Sequence, residues 1–566
     1  MLSSPAIAAD PLSRIGAPDW LSRLALSPFA FALLLVVTAA WFVLGNWFWP
    51  LLNPDEGRYV GVALEMLHAR EWGTPLLDGM PYFHKPPLFY WLTAASMALF
   101  GQNEFAARLT PALAGLLMVG GLFVFLRRFV LPSRALVAGI ILATTPLMFG
   151  AAHYANLDLL VAAMICSTIL CGATAVLLQR QGASAKRWVL TMYMFAGLGF
   201  LSKGLIGFVL PGGVLLFWLV AERRYSAIPM LLRIPGILLF LAVVLPWLLL
   251  MQSRYPGFLQ YYLVYQQFER FSQGGFNNVM PVWFYVAVLL ATMLPWCRTG
   301  LSVIFTRNYW MQERDASVRR LMWIWLLLIL VFFSIPQSKL VGYILPVLPP
   351  LAFLFAEFFH GVFAVDSAYT QSGYADHVRV DAAGRAVQRN FVTRVLICAV
   401  LGGGGLIYLS LAHLPGSSRV ATAIDSASQP LDAHDRYYSL DNYPFDFRFY
   451  MRQNPDLFVV SNWNDPALPM KDNWQKELWD ANNFGAPAGA RRLVLPAEFL
   501  RSVCIPAHDR RWLLADAKQM DNFPELKNIT PYFAEGRRRA YLLPAGQIMP
   551  FCAADPGPPA SVKQPQ

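Results

Sequence analysis

Charge is what this chain lacks. Only 14% of its 566 residues are Asp, Glu, Lys or Arg, where soluble domains carry roughly a quarter. That shortage excludes a water-facing surface over most of the chain. The apolar runs show no period-two alternation, which excludes a barrel. No internal repeat is evident, which speaks against an inverted-repeat transporter. The centres of the apolar runs are almost free of charge, which argues against a polar conduction path. Cysteine is also sparse, at six residues. Cys166, Cys171, Cys297 and Cys398 fall in or beside apolar runs and read as apolar filler. Cys504 and Cys552 lie near the C-terminus, where an extracytoplasmic compartment would permit a disulfide; the sequence leaves that pairing open.

What is present is hydrocarbon. Hydrophobic residues make up 56% of the chain and mean hydropathy is +0.44. Many runs are long enough to cross ~30 Å of bilayer core, so the expected class is a polytopic α-helical membrane protein. The runs fall at 28–50, 105–126, 133–150, 157–178, 188–202, 204–221, 234–252, 281–298, 320–335, 341–362 and 392–413. That is eleven spans, and short segments near 298–306 and 345–362 would raise the count to thirteen. No cleavable leader is expected, because the first 27 residues are polar and the run after them is long enough to stay as an anchor.

The formal net charge of +11 would suggest a nucleic-acid partner in a soluble protein. Here topology accounts for it. With the N-terminus inside, inward segments carry 20 Lys and Arg, outward loops and span ends before residue 414 carry 8, and the tail carries 17. That bias sets the N-terminus in and the C-terminus out. Residues 1–413 then form a membrane domain with a long first outward loop, 51–104. Within that loop, 55–70 has helical spacing of apolar residues, and 88–101 is apolar but too short to span; both read as interfacial helices. A second outward loop, 253–280, reads as a partly helical flap. Composition changes sharply at 414. Strand-like runs at 457–463, 491–496, 511–517 and 539–544, with helical stretches in 465–485 and 497–503, predict a small outward α/β domain over 414–555, followed by a disordered tail, 556–566.

The first outward loop reads LLNPDEGRYVGVALEMLHAREWGTPLLDGMPYFHKPPLFYW. Its polar density is unnecessary for staying in a bilayer. Asp55 and Glu56 open a helix, where acids favour the dipole, and Arg58 stands one turn on, in reach of Asp55. Lys85 lies between His84 and two prolines, with Tyr82, Phe83 and Tyr90 near it in sequence. Pro86 holds it out of helix. One rigid cation among aromatic rings suits a phosphate in a partly desolvated pocket. Asp158 opens the span at 157, where a helix cap and a supporting acid are equally good readings. Lys203 sits in a tight connection, with too little room to snorkel. Arg270 and Lys339 add outward cations near the membrane surface, with Tyr343 close to the latter. Separate cations converging on one face are what a polyanionic lipid head group requires. The basic residues of the tail, Arg491, Arg492 and Arg537 to Arg539, read as solvated surface.

Taken in order, Asp55-Glu56, Arg58-Tyr59, PLLDGMPYFHKPPLFYW, an Asp opening a later span and Lys-Gly between spans resemble the GT-C class of polyprenyl-phosphate-sugar glycosyltransferases. Within it the chain looks most like the 4-amino-4-deoxy-L-arabinose lipid A transferases of Gram-negative inner membranes. The likeness covers about residues 28–360, with YPFDFRFYMRQ at 443–453 also similar. It implies a periplasm-facing site and a periplasmic α/β domain. It also implies undecaprenyl phosphate-linked aminoarabinose as donor, a lipid A phosphate as acceptor, and resistance to polymyxin and cationic peptides. Carried onto this chain, Asp55 is the catalytic carboxylate and Asp158 a second acidic position. Arg58, Lys85, Arg270, Tyr82 and Tyr343 hold the donor phosphate and lipid, and Glu56, Tyr59, His84, Lys203 and Lys339 support the site. Two departures stand out: His84 precedes the lysine where relatives often have Glu, and Gln266-Gln267 stands where relatives often have Glu-His. No metal ligands and no cofactor are expected, with a divalent ion left open; a monomer and no nucleic-acid partner are expected. The alternatives are another polyprenyl-phosphate-sugar transfer, such as protein O-mannosylation, and a lipid-linked sugar flippase.

Overall fold

The computed structural model describes residues 27–269, 278–297, 316–357 and 376–412, most of 414–547, and Cys552. The chain divides into two compact units. The first comprises Met1–Trp49 and Lys85–Ala412, the second Pro50–His84 and His413–Gln566. The front of the 51–104 segment therefore clusters with the C-terminal part of the chain.

The first unit is helical, and each of the eleven apolar runs contains helix within its described residues. Among the described residues, five helices are long and apolar enough to cross a membrane: Glu104–Phe129, Leu157–Arg180, Ile234–Arg254, Ala316–Ser334 and Arg389–Leu411. Shorter apolar helices cover Ala30–Val43, Leu88–Phe100, Ile206–Ala221 and Val341–Glu357. The run expected as one span at 133–150 is instead two helices, Pro132–Thr144 and Pro146–Ala152, bent by 61°. The cause is local. Pro146 bars its predecessor from helical conformation, and Thr145 takes ψ 126°.

Helix ends follow the charge rules. Asn103 caps Glu104–Phe129 by accepting from the Ala106 amide, Glu104 lies in the first turn, and Arg127 and Arg128 lie in the last. Leu157–Arg180 is the central helix, and its most apolar stretch is entirely buried. Its Ala, Ser, Thr, Cys and Gly residues let neighbouring helices approach closely. Two buried arginines tie the unit together. Arg108 donates to the carbonyls of Asn46 (2.8 Å) and Trp49 (2.9 Å) beneath the Trp49 ring. Arg319 grips Glu357 through Nε (3.0 Å) and a terminal nitrogen (2.7 Å), with Arg134 at 3.7 Å from the same carboxylate.

The second unit holds a short hairpin, β1 (Leu76–Leu77) and β2 (Met80–Pro81), and a six-stranded sheet. The sheet strands are β3 (Arg436–Leu440), β4 (Leu457–Val460), β5 (Leu493–Val494), β6 (Arg511–Asp516), β7 (Phe533–Glu535) and β8 (Arg538–Leu543), in the order β5-β4-β3-β6-β8-β7. The β3, β4, β5 and β6 neighbours pair in parallel, while β8 runs antiparallel to β6 and β7. Parallel pairing needs crossovers, and helices Trp474–Asn483 and Pro496–Val503 lie in them. Tyr438, Val460, Phe499, Leu513, Phe523 and Tyr541 are part of the buried core. Cys504, just past Pro496–Val503, is disulfide-bonded to Cys552.

The front of the 51–104 segment is built into this unit. Helix Asp55–Ala69 has nine buried residues, so it is a packed element rather than one with a single apolar stripe. Gly57 lies so close to Asp446 that a Cβ would come within 2.8 Å of its backbone nitrogen. Arg448 pairs with Glu65 at 3.0 Å, and Glu65 in turn accepts from the Asp78 amide in the hairpin turn at 2.7 Å. The segment YPFDFRFYMRQ thus serves as the seat of the 55–69 helix.

Candidate active site

Two charged clusters contain most of the candidate residues, one in each unit. In the second unit, Asp55 starts its helix after Pro54, where the dipole favours a carboxylate. It pairs with Arg58 one turn on, and Arg58 pairs also with Glu477. Tyr82 donates its hydroxyl to the other oxygen of Glu477 at 3.0 Å. The Tyr82 ring stacks on His84 with centroids 4.8 Å apart. His84 Nε2 lies 3.4 Å from Asp480, whose carboxylate also receives Lys476 at 2.9 Å. Glu477 and Asp480 are one turn apart on helix Trp474–Asn483, which Asn473 caps.

Burial opposes the charge of Arg58, but the fields of Glu477, Tyr59, Tyr82 and Asp55 outweigh it and hold the guanidinium pKa above its ordinary value. Burial likewise pushes Asp480 up, yet the hydrogen bond and charge of His84, with Lys476, bring it below the usual carboxylate range. The two adjacent acids have different fates. Glu56 is fully buried and accepts from the Leu52 amide at 2.8 Å, so it braces the helix start. Asp55 keeps 30% of its side chain exposed. It is the one of the pair open to a substrate. Tyr59 is buried, with the Arg58 guanidinium 5.3 Å from its ring centre.

In the first unit, Asp158 stands in the first turn of Leu157–Arg180, and Lys203 ends Lys186–Lys203. They form an ion pair, each at the helix terminus its charge favours. Lys203 Nζ sits 4.0 Å from the centre of the Tyr343 ring. Gly342 packs against the Asp158 carboxylate so closely that any Cβ would overlap it. Gly204 turns the chain at φ +87°, and the Leu205 amide donates to Gln267 at 3.3 Å. Gln266 donates to the Tyr261 hydroxyl at 2.8 Å. The two glutamines that depart from the related pattern are therefore structural here: one holds the Lys203-Gly204 turn, the other its own helix.

Lys85 is half-buried. Arg270 lies outside the described residues. Lys339, read from sequence as an outward cation, is 2% exposed and donates to the carbonyls of Met280 (3.0 Å) and Pro336. It pins the short loop where Val279 bridges Ser338. Glu477 and Asp480 were missed from sequence. Their only signal is the i, i+3 spacing of two acids in WQKELWDANN, which an ordinary solvated helix shares. Among the described residues no three or more His, Cys, Asp or Glu gather as a metal site.

The fold is shared with a solved membrane-protein structure. The structure of ArnT from Cupriavidus metallidurans bound to undecaprenyl phosphate superposes with a TM-score of 0.74 at 21% identity, covering 91% of this chain and 98% of that one. In sequence the chain is similar to undecaprenyl phosphate-α-4-amino-4-deoxy-L-arabinose arabinosyl transferases. It is 30% identical over 359 residues to transferase 2 of Pseudomonas fluorescens strain Pf0-1, across 63% of this chain and 61% of that protein. It is 32% identical over 308 residues to the transferase of Pseudomonas aeruginosa strain UCBPP-PA14, across 53% of this chain and 54% of that one. The chain thus matches between half and two thirds of the length of these relatives. The family described as dolichyl-phosphate-mannose-protein mannosyltransferase matches residues 84–250, which include Lys85, Asp158 and Lys203.

Proposed function

We propose that this protein is an inverting glycosyltransferase of the inner membrane. It moves 4-amino-4-deoxy-L-arabinose from undecaprenyl phosphate to a lipid A phosphate at the periplasmic face. The carrying observation is the similarity to transferases named for that donor, joined to an Asp158–Lys203–Tyr343 cluster inside the matched region. The Cys504–Cys552 disulfide supports an oxidising compartment for the C-terminal part.

The acceptor phosphate oxygen is already ionised at neutral pH, so no strong base is needed. It attacks the anomeric carbon as the bond to the carrier phosphate breaks, and the carrier leaves with that electron pair. The demand is for cations at the leaving phosphate. In the first unit, Lys85, Lys203 and Arg270 are the cations we assign to it, with Asp158 orienting Lys203 and Tyr343 flanking it. In the second unit, the resemblance assigns the partly open Asp55 to the cationic sugar or its amine and Arg58, held charged by its carboxylate partners, to the phosphate.

The test is to incubate the purified protein with undecaprenyl phosphate-aminoarabinose and lipid A and measure the lipid A mass. A gain of one aminoarabinose is expected, and none with Asp55→Asn or Lys85→Ala. Transfer of a hexose to a protein hydroxyl instead, the reaction suggested by the matched mannosyltransferase family, would replace this reading. Donor movement across vesicles with no new glycosidic bond would replace it with a flippase.

A further inference from the structure

The first unit has a second feature, which the transfer reaction does not use. A cavity of about 470 Å³ lies among helices Ala30–Val43, Glu104–Phe129, Leu157–Arg180 and Lys186–Lys203. Its walls are apolar, from Leu113 and Leu117 at one end to Trp188 at the other, and Arg128 is the one charged residue that lines it. On the central helix, Leu170, Cys171 and Thr174 face it, and the Thr174 hydroxyl is satisfied by the Leu170 carbonyl at 2.7 Å. The groove is therefore dry-walled. Measured along its helix from Leu113 to Arg128 it runs about 22 Å, which suits one acyl chain and falls short of the ~30 Å core.

The charged end is the inward one by the distribution of Lys and Arg. Arg128 and Trp188 belong to the two inward loop regions that carry Arg127, Arg128 and Arg134, and Arg180, Lys186 and Arg187. Neither 127–134 nor 180–187 contains an acid. Arg128 is exposed at the rim, and Trp188 is half-buried beside it, a residue that favours the head-group depth. Arg134 is taken by Glu357, but a concave hydrocarbon slot ending at the exposed Arg128, beside two loop segments that carry no acid of their own, matches one chemistry. We infer that this groove binds a phospholipid with an anionic head group from the inner leaflet, its acyl chain between the four helices and its phosphate at Arg128.

The inference does not depend on the transfer reaction, and its test is separate. The full chain in detergent micelles is supplied in turn with palmitoyl-oleoyl phosphatidylglycerol, the phosphatidylethanolamine of the same chains, and undecaprenyl phosphate. Retained lipid is counted by native mass spectrometry. Phosphatidylglycerol should be retained several-fold over phosphatidylethanolamine. Arg128→Gln, a surface change that leaves the fold alone, should cut that preference about fivefold. Leu117→Trp, which fills the slot, should remove retention of both phospholipids. Equal retention of the two by the unaltered chain, or an unchanged preference in Arg128→Gln, would overturn the assignment. So would retention of undecaprenyl phosphate in place of phosphatidylglycerol by the unaltered chain, with that retention lost in Leu117→Trp, since the slot would then serve the carrier.

Discussion

The Tyr82 hydroxyl and the Glu477 carboxylate meet at 3.0 Å across 395 residues of sequence. Glu477 holds Arg58 through its other oxygen. One acid from the C-terminal part of the second unit thus fixes two candidate phosphate-binding side chains of the first outward loop. Asp55 shares the same guanidinium, so the orientation of the proposed catalytic acid depends on Glu477 as well.

Glu477→Gln keeps an acceptor for Tyr82 but removes the charge that Arg58 faces. Sugar transfer should fall at least tenfold while the protein still folds. Glu477→Ala leaves a buried guanidinium with one carboxylate fewer and should cost about 3–5 kcal/mol of stability in the second unit. Transfer assays and thermal unfolding of both variants check this. Full transfer by Glu477→Gln would show that Arg58 needs no fixed partner.

Gly342→Ala tests the first-unit cluster through backbone space alone. The added Cβ overlaps the Asp158 carboxylate and must push it off Lys203. Transfer should drop at least tenfold, as in Lys203→Met. The double variant should be no worse than either single change, because both break one contact. An additive loss measured in the same assay would mean that Gly342 acts elsewhere.

The helical class and the candidate charges were legible because a span announces itself by length and a cation stands out in an apolar chain. Asp158, Lys203 and Tyr343 were all picked out one by one, and they meet in one cluster. The role of Lys339 was not legible. A buried lysine satisfied by carbonyls of Met280 and Pro336 has the same sequence signature as a surface cation. Four strands of the sheet were found from their apolar runs, but β3, which stands between β4 and β6, was missed. Its RYYSL is flanked by Asp435 and Asp441, and its burial comes from parallel partners on both sides. The short β7 was hidden for a similar reason, since only pairing with β8 across the Gly536 turn makes it a strand. Glu56 and Asp55 are indistinguishable in sequence, and only burial separates brace from candidate catalyst.

Asp78 gives the second unit a pH dependence of defined sign. It is fully buried, and desolvation, opposed by Arg448 and reinforced by Glu65, pushes its pKa up to about 7. The unfolded chain releases that proton near the ordinary value of 3.8. Between these values the folded state holds a proton that the unfolded state has lost, so stability falls as pH rises. Asp78→Asn imitates the protonated form. The wild type and the variant should melt together at and below about pH 4, the wild type should fall progressively behind between about pH 4 and 7, and the gap should level off above that. Parallel melting curves at every pH would remove Asp78 as the source.

Cys504 and Cys552 close a loop with a sequence separation of 48, at the edge of the core formed by Tyr438, Phe499 and Leu513. In the chain-entropy account a loop of that length is worth about 4 kcal/mol, and measured bridges usually deliver 2–4. Cys504 ends the helix Pro496–Val503, whose Phe499 and Val503 are buried against the sheet. Loss of the bridge therefore releases Cys552 from the helix end before it loosens the helix. The Cys504→Ser, Cys552→Ser double variant should lower the melting temperature of the second unit by roughly 5–15 °C, at about 2–4 °C per kcal/mol for a unit of this size. Reductant should lower the wild type to the same value and leave the double variant unmoved. Because Asp158, Lys203 and Tyr343 lie in the other unit, their cluster should keep its geometry in the double variant. Transfer measured below the new melting point should therefore stay within about twofold of wild type, and a larger loss there would tie the bridge to the chemistry rather than to stability.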